Sequence, residues 1–208
     1  TFVNDDEWHL ISVLFDRDDA GFIYVDGELD ASGTISSHSG DLSNNEPLEI
    51  GVDLNHITQY ADGKLDDISF WNKVLTEGEI QASMSTSLSG SENGLVGYWN
   101  FNEGTGTTLT DQTSNGNDGT INGATWGTDV PPVDPPPPPP NADNYSLSFD
   151  GVDDYVEYIA GIEPSGALSI GAWFKTTMTG NNARIVSKVS SENIFFLMIK
   201  SDGLIRFN

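Results

Sequence analysis

The chain contains no cysteine among its 208 residues. That excludes disulfide cross-links and any thiolate metal site, and it leaves a bacterial surface protein and a cytosolic one equally open. Positive charge is scarce too: eight lysines and arginines stand against 32 aspartates and glutamates, a formal net charge of −24. A surface this acidic repels nucleic-acid phosphates and anionic lipid. It suits divalent cations, or a salty medium that screens the self-repulsion. No apolar run approaches membrane-spanning length, and the N-terminus lacks the pattern of a signal peptide. Neither a nucleic-acid partner nor membrane insertion is therefore expected. Because Thr1-Phe2-Val3 reads as the middle of a strand, the chain is expected to be a piece of a longer protein. Proline is missing from most of the chain, since eight of ten prolines fall in Pro131–Pro140. Such a run is polyproline II, a semi-rigid spacer that cannot be a central strand.

A hydrophobic fraction of 37% with 10% aromatics is enough to build a core, and 22 glycines, many in Asp-Gly or Asn-Gly pairs, indicate tight turns between strands. Alternation over Glu7–Phe15 predicts a half-buried strand, with Phe22–Val25 as the next and Asp26-Gly27 as a two-residue hairpin turn. Residues 31–45 read as a loop or edge strand, and Pro47–Gly51 as a short strand. Asp62-Gly63 is a turn signal before a strand over Leu65–Trp71. Thr76 then reads as a helix N-cap, with Glu79 closing a capping box and Leu75 and Ile80 at the staple positions. Further strands are expected over 94–101, with Leu95, Gly97, Trp99 and Phe101 on one face, and over 145–158, 168–175, 184–188, 193–199 and 204–207. Trp8 and Tyr24 are expected in the core, and His9, without a second ligand at metal spacing, is expected to be structural.

The stretch from Gly63 to Ile80, GKLDDISFWNKVLTEGEI, resembles the last core strand of laminin-G-like and pentraxin-like domains. Trp8-His9 followed by Tyr24-Val25-Asp26-Gly27 is similar to the middle of such domains. The segment GLVGYWNFNEGTGTTLTDQTSNGNDGTINGATW, residues 94–126, is a more specific laminin-G-like signature. The resemblance implies an all-β jelly-roll sandwich of the concanavalin A-like lectin and glucanase superfamily. Phe149-Asp150-Gly151 and Ala172-Trp173-Phe174 resemble early strands of that family, yet they follow the late ones here. The expected organisation is thus a C-terminal part of one laminin-G-like domain over 1–130, a proline-rich linker over 131–141, and an N-terminal part of the next domain over 142–208. A half-sandwich exposes an open sheet edge and half a core. The two parts are therefore expected to complete one sandwich, within one chain or with a neighbouring copy.

Catalysis is not expected. Retaining glycoside hydrolysis needs two carboxyl groups facing one bond, and the glucanase acid cluster is absent. Glu28 and Asp30 are a lone pair after a hairpin turn, and adjacent Asp66 and Asp67 should point to opposite faces of a strand. There is also no nucleophilic serine motif and no phosphate loop. Calcium, which takes six to eight oxygens, is the candidate cofactor. The pentraxin resemblance implies ligands at Asp53 and Asn55 with Glu192 and Asn193, although an Asp stands for a Glu, an Asn for an Asp and a Glu for an Asp. A second set joins Asp150, Asp153 and Asp154 with Asp66 or Asp67, against the alternative that these side chains only cap turns. Asp111, Asn115, Asn117 and Asp118 read as a turn stabilised by its own side chains. Trp71, Tyr60 and Trp126 are candidates for stacking on a sugar, each equally able to plug the core or rim. The expected function is a non-catalytic, secreted or cell-surface adhesion module in a tandem-repeat protein. It would recognise carbohydrate or extracellular protein with calcium assistance, beside neighbouring copies of itself. The alternatives are a purely structural spacer and a β-glucanase-like hydrolase.

Overall fold

In the computed structural model, residues 1–16, 20–34, 47–52, 59–132, 144–158, 166–189 and 194–207 are described. Strand β1 (Trp8–Phe15) shows how alternation becomes a sheet. Ile11, Val13 and Phe15 enter the main core while Leu10 and Leu14 face the other way. Strand β2 (Ala20–Val25) returns along β1, and Asp26 and Gly27, at φ 52° and 77°, turn it into β3 (Glu28–Thr34). Two left-handed residues in succession match the twist of the flanking strands. The Asp26 carboxylate accepts the Leu10 N–H at 2.9 Å and pairs with His9 Nδ1 at 2.7 Å, so the turn is pinned to the start of β1. That Asp26 contact, ahead of a second one from Asp5, raises the His9 pKa. The histidine is a structural tie.

The other strands are β4 (Leu48–Ile50), β5 (Asp62–Trp71), β6 (Leu95–Trp99), β7 (Thr108–Leu109), β8 (Gly119–Asn122), β9 (Thr125–Gly127), β10 (Ser146–Asp150), β11 (Tyr155–Tyr158), β12 (Leu168–Lys175), β13 (Ala183–Val189), β14 (Ile194–Ile199) and β15 (Ile205–Phe207). They form two antiparallel sheets. The front sheet runs β3-β2-β1-β12-β5-β10-β9, with β6 also on β5; the back sheet runs β15-β14-β13-β4-β11-β8-β7. Their inner faces share one apolar core, to which Ile11, Phe70 and Phe174 contribute from the front and Ile50, Val156, Ile185 and Leu197 from the back. The result is an all-β sandwich of jelly-roll type with one helix among the described residues.

Strands from either side of the proline run interleave in both sheets. β12 lies between β1 and β5, with Trp8 opposite Lys175 and Phe15 opposite Leu168. β10 lies between β5 and β9, and β11 between β4 and β8. Before the run, Asp129 accepts hydrogen bonds from Trp8 Nε1 and Lys64 and lies 3.2 Å from Lys175 Nζ. Those donors, Lys64 foremost, hold its carboxyl down to about 2. The anchor ties the chain before the linker to three strands of the front sheet.

Local readings and the structure part in four places. Asp62-Gly63 is no turn: it opens β5 and pairs with Phe149 and Asp150 of β10. Glycine is required at 63 because a Cβ there would lie 2.3 Å from the Lys175 carbonyl oxygen. In β6 a register shift opposite Phe70 and Trp71 sends Leu95 outward and packs Val96 against the core, so Leu95 does not share a face with Trp99. Trp8 and Tyr24 are half-buried on the outer face of the front sheet instead of in the main core. Residues 111–126, where the sequence reading places a turn and no strand, carry β8 and the start of β9.

Helix α1 (Glu77–Ser83) starts as its sequence dictates. Thr76 accepts the Glu79 N–H, and the Glu79 carboxylate accepts the Thr76 N–H at 2.8 Å. Leu75 and Ile80 bracket that cap and bury against the outer face of the front sheet. Ser169 of β12 locks the approach, donating to the Lys73 carbonyl at 2.8 Å and accepting the Leu75 N–H at 3.0 Å. The Asp111 loop is a side-chain-stabilised turn. Buried Asp111 accepts the N–H groups of Tyr98, Thr113 and Asn117 and the Thr113 hydroxyl. Asp111→Ala would strand those donors, and it is expected to lower the unfolding free energy by about 3 kcal/mol or more. Denaturant unfolding checks this, against an exposed control such as Asp153→Ala that should change little.

Candidate functional site

The outer face of the front sheet has a depression, and the strand registers explain it. Ser12 of β1, Gly171 of β12, Ser69 of β5 and Tyr98 of β6 stand side by side in one row across four strands. The first three are small. A Cβ on Gly171 would come within 3.0 Å of Ser69 Oγ and 3.7 Å of Ser12 Oγ, so this row is a low floor. The neighbouring rows carry larger residues: Leu14 and Trp71 flank Ser169 on one side, and Leu10, Trp173 and Asp66 stand on the other. Helix α1 and the segment after it close the top. The half-open cavity measures about 450 Å³, within the roughly 300–1,000 Å³ common for small-molecule sites.

One wall is built by a β-bulge. β5 pairs with β10 as far as Leu65 and with β6 from Ile68, so residues 66 and 67 fall where the strand changes partner. Opposite β12 the register also slips between Asp66 and Ser69. Asp67 takes φ 46°, a left-handed value that Asp tolerates better than most residues. Leu65 and Ile68 therefore both enter the main core. The two acids between them lie on the outer side, contrary to the expectation from simple alternation that they face opposite ways. Asp66 Oδ1 accepts the Asp67 N–H at 2.8 Å, and Asp67 accepts the Tyr98 hydroxyl. Only Asp67 lines the cavity.

The electrostatics of this pair are unfavourable. Burial lifts the Asp67 carboxyl to about 6, with the Tyr98 hydrogen bond pulling against it. Burial first, and the Asp67 charge second, push Asp66 well above the usual carboxylate range. The Tyr98 hydroxyl is raised by burial and by the Asp67 charge. The other acids of the cavity are already engaged. Glu79 caps α1 and binds Lys73 Nζ at 2.5 Å, and Glu92 accepts the Ser89 N–H and hydroxyl. A buried carboxylate pair without a cation costs folding free energy, which is a physical mark of a functional site.

The remaining sequence candidates scatter. Trp71 forms part of the cavity wall and donates from Nε1 to Ser69 Oγ at 3.1 Å. Trp126 sits on strand β9, packs against the main core and donates to the Gly106 carbonyl at 3.0 Å. Tyr60 lies between Gln59, which accepts the Arg184 N–H, and Ala61, which bonds to Gly51. Neither of these two reaches the cavity. Asp53, Asn55, Glu192 and Asn193 lie outside the described residues. Glu28 and Asp30 are exposed on edge strand β3, where Asp30 pairs with the Thr1 ammonium at 2.6 Å.

Asp150, Asp153 and Asp154 do converge, each offering an oxygen within 4.8 Å of the others. They sit in the β10–β11 turn beside Asp62, since Asp150 pairs with Asp62. Asp66 and Asp67 lie four and five residues further along β5, about 13 Å or more at strand rise, so the structure does not join them to this cluster. Asp150 Oδ1 accepts the Val152 N–H at 2.8 Å and Asp154 Oδ2 accepts the Asp150 N–H at 2.9 Å, which is turn-capping geometry. The Asp153 carboxylate takes no hydrogen bond among the described residues. Burial, reinforced by the charges of Asp150 and Asp153, raises the Asp154 carboxyl against the pull of the Asp150 N–H. The donor set is hard oxygen, the kind calcium takes. Sequence reasoning missed Trp173, Tyr98, Ser12, Ser69 and Gly171 as site residues; their only signal is three small residues at outward-facing positions.

Residues 2–81, which span β1 through β5 and the first five residues of α1, match the laminin-G family model of the concanavalin A-like lectin/glucanases superfamily. That stretch is laminin-G-like, in agreement with the sandwich. No curated protein and no solved structure matches the chain. Among the described residues no helix is long and apolar enough to cross a membrane.

A charge held at a cost has a pH signature. Asp67 titrates higher in the folded chain than its ordinary 3.8. Its contribution thus favours folding below about pH 4 and is lost as the pH rises through about 6. Asparagine accepts the same Tyr98 donor and tolerates the same φ. Asp67→Asn is therefore expected to melt a few degrees above the parent at about pH 8 and together with it at about pH 4. Equal melting at both values would contradict the buried-charge assignment.

Proposed function

We propose that the chain is a non-catalytic binding module of a secreted or cell-surface protein, and that its ligand is a carbohydrate held in the cavity on the front sheet. The observation that carries this reading is the floor of Ser12, Gly171 and Ser69 between the rings of Trp71, Trp173 and Tyr98. Sugars present apolar C–H faces that lie on aromatic rings and hydroxyl edges that exchange hydrogen bonds. A cavity with both kinds of wall suits one or two sugar units. The laminin-G match over residues 2–81 supports the class, since that superfamily includes lectins.

The arrangement of the acids supports binding without hydrolysis. Glycoside hydrolysis needs two carboxyl groups on either side of the scissile bond. Glu79 is committed to the helix cap and Lys73, and Glu92 to the Ser89 turn. Asp66 is 3% exposed and does not line the cavity. Among the described residues Asp67 remains as one acid without a partner across the site.

Screening the full chain on a glycan array and measuring hits by calorimetry tests the reading. Gly171→Val is the diagnostic variant. Its backbone suits a strand residue, but its side chain rises into the floor beside Ser69 Oγ. The variant is expected to lose binding at least about tenfold while its melting temperature changes by no more than a few degrees. A spacer domain would show no hits with either protein, and a hydrolase would release product from a β-glucan.

Calcium assistance is a separate part of the proposal and rests on Asp150, Asp153 and Asp154. A cation bound only by the folded chain must stabilise it. Millimolar calcium is expected to raise the melting temperature, and Asp153→Asn to abolish that rise, whether or not a sugar is present. An unchanged melting temperature removes calcium and leaves the cavity reading standing.

A further inference from the structure

The charge balance of the cavity narrows the ligand class, on the premise that the cavity holds a sugar. Among the described residues three carboxylates line it, Asp67, Glu79 and Glu92, with Lys73 as the single cation. Lys73 is spent on Glu79, and its ammonium lies 5.4 Å from the centroid of the Trp71 ring. The protein thus already seats one ammonium here between a carboxylate and an indole face, a favourable pairing for a cation. Glu92 is held through Oε1 by the Ser89 N–H and hydroxyl, while its buried Oε2 has no hydrogen-bond partner among the described residues. Along the sheet beyond Trp173, the next row carries Lys175 and Lys64, and Asp129 binds both ammonium groups.

Asp67 is the cavity acid that neither a backbone N–H nor a cation holds among the described residues. Behind it lies another acid, Asp66, and its one side-chain donor among the described residues is the neutral Tyr98 hydroxyl. A neutral sugar settling on this carboxylate would strip water from it and supply no countercharge. A ligand ammonium would replace that water with a charge-assisted hydrogen bond, inside a cavity whose rings also favour a cation.

We propose that the cavity selects a sugar bearing a free, protonated primary amine, a hexosamine unit whose ammonium is received at Asp67 between the aromatic walls. The same chemistry makes recognition pH-sensitive, because Asp67 must be ionised and the amine protonated at once. The upward displacement of Asp67 to about 6 places its neutral form within reach of mildly acid media. Of the groups beside it, the Tyr98 hydroxyl is pushed upward by burial and stays neutral, Asp66 is itself raised by burial and by the Asp67 charge, and the Lys73 hydrogen bond holds Glu79 low.

The test is calorimetry on the full chain with a glucosamine trimer and its fully N-acetylated counterpart, at about pH 7 and about pH 4.5. At pH 7 the free-amine trimer is expected to bind at least about tenfold tighter than the acetylated one, and at pH 4.5 the preference should vanish. Asp67→Asn should remove the preference at both values. It changes one charge in a net of −24, so a preference that survives in this variant reports general attraction to an acidic surface and overturns the proposal. Tyr98→Phe is the second variant. It keeps the carboxylate but removes the donor that steadies its charge, so the preference should persist at pH 7 and fade at a higher pH than in the parent. An unshifted profile counts against Asp67 as the receiving group. Equal or tighter binding of the acetylated trimer at pH 7 overturns the amine assignment and leaves a neutral-sugar site. Binding of neither trimer, with no hit on the glycan array, removes both readings.

Discussion

Strand β12, from beyond the proline run, fills the gap between β1 and β5, and the sandwich depends on that placement. Without it, β1 and β5 would each expose a ladder of unpaired N–H and C=O groups along most of their length. The main core would lose Ile170, Ala172 and Phe174 from its centre. The same insertion builds the cavity, because Gly171 is part of its floor and Trp173 one of its walls. Fold and site therefore share one requirement: the segments on either side of the proline run must come together before either exists. The Asp129 contacts with Trp8, Lys64 and Lys175 serve this end, fixing the chain on the front sheet just before the spacer starts.

The β5 bulge is the second constraint. A regular strand would have placed Asp66 and Asp67 on opposite faces, one of them in the apolar core at a prohibitive desolvation cost. Changing partner from β10 to β6 at this point, with Asp67 in the left-handed region, turns both acids outward and keeps Leu65 and Ile68 inside. The pair remains crowded and poorly compensated there. The fold tolerates it because the surrounding rows are well satisfied: Ser169 holds the approach to α1, the capping box starts the helix, and Leu75 and Ile80 bury against the sheet. Stability comes from those contacts, and the Asp67 wall is where we place the proposed selectivity.

Features set within a few residues could be read directly. The Thr76–Glu79 cap, the Asp26-Gly27 turn, the Asp111 loop and the strand over 168–175 all follow from local stereochemistry or short-range hydrogen bonding, and all stand in the structure. The cavity was legible only at Trp71 and at Asp67, the latter as a calcium ligand and not as a wall of this site. Its floor residues are ordinary serines and a glycine whose significance is that they line up across strands. The outward bulge left one faint trace, two core residues three apart in a strand that should alternate, Leu65 and Ile68. Asp62-Gly63 misled because the dipeptide favours turns, while here a close approach to the Lys175 backbone demands the glycine within a strand.

By itself, the sequence determined an acidic, cysteine-free, strand-rich chain with a laminin-G-like pattern, because composition, alternation, turn chemistry and capping act over a few residues at a time. Tertiary structure alone decided that residues 12, 69, 98 and 171 form one row, that Asp66 and Asp67 share a face, and that Asp150 lies far from both. Those outcomes depend on which strands become neighbours and in what register. Register is fixed by burying the whole apolar face of each strand at once, a condition on the entire sandwich that no short stretch of the chain contains.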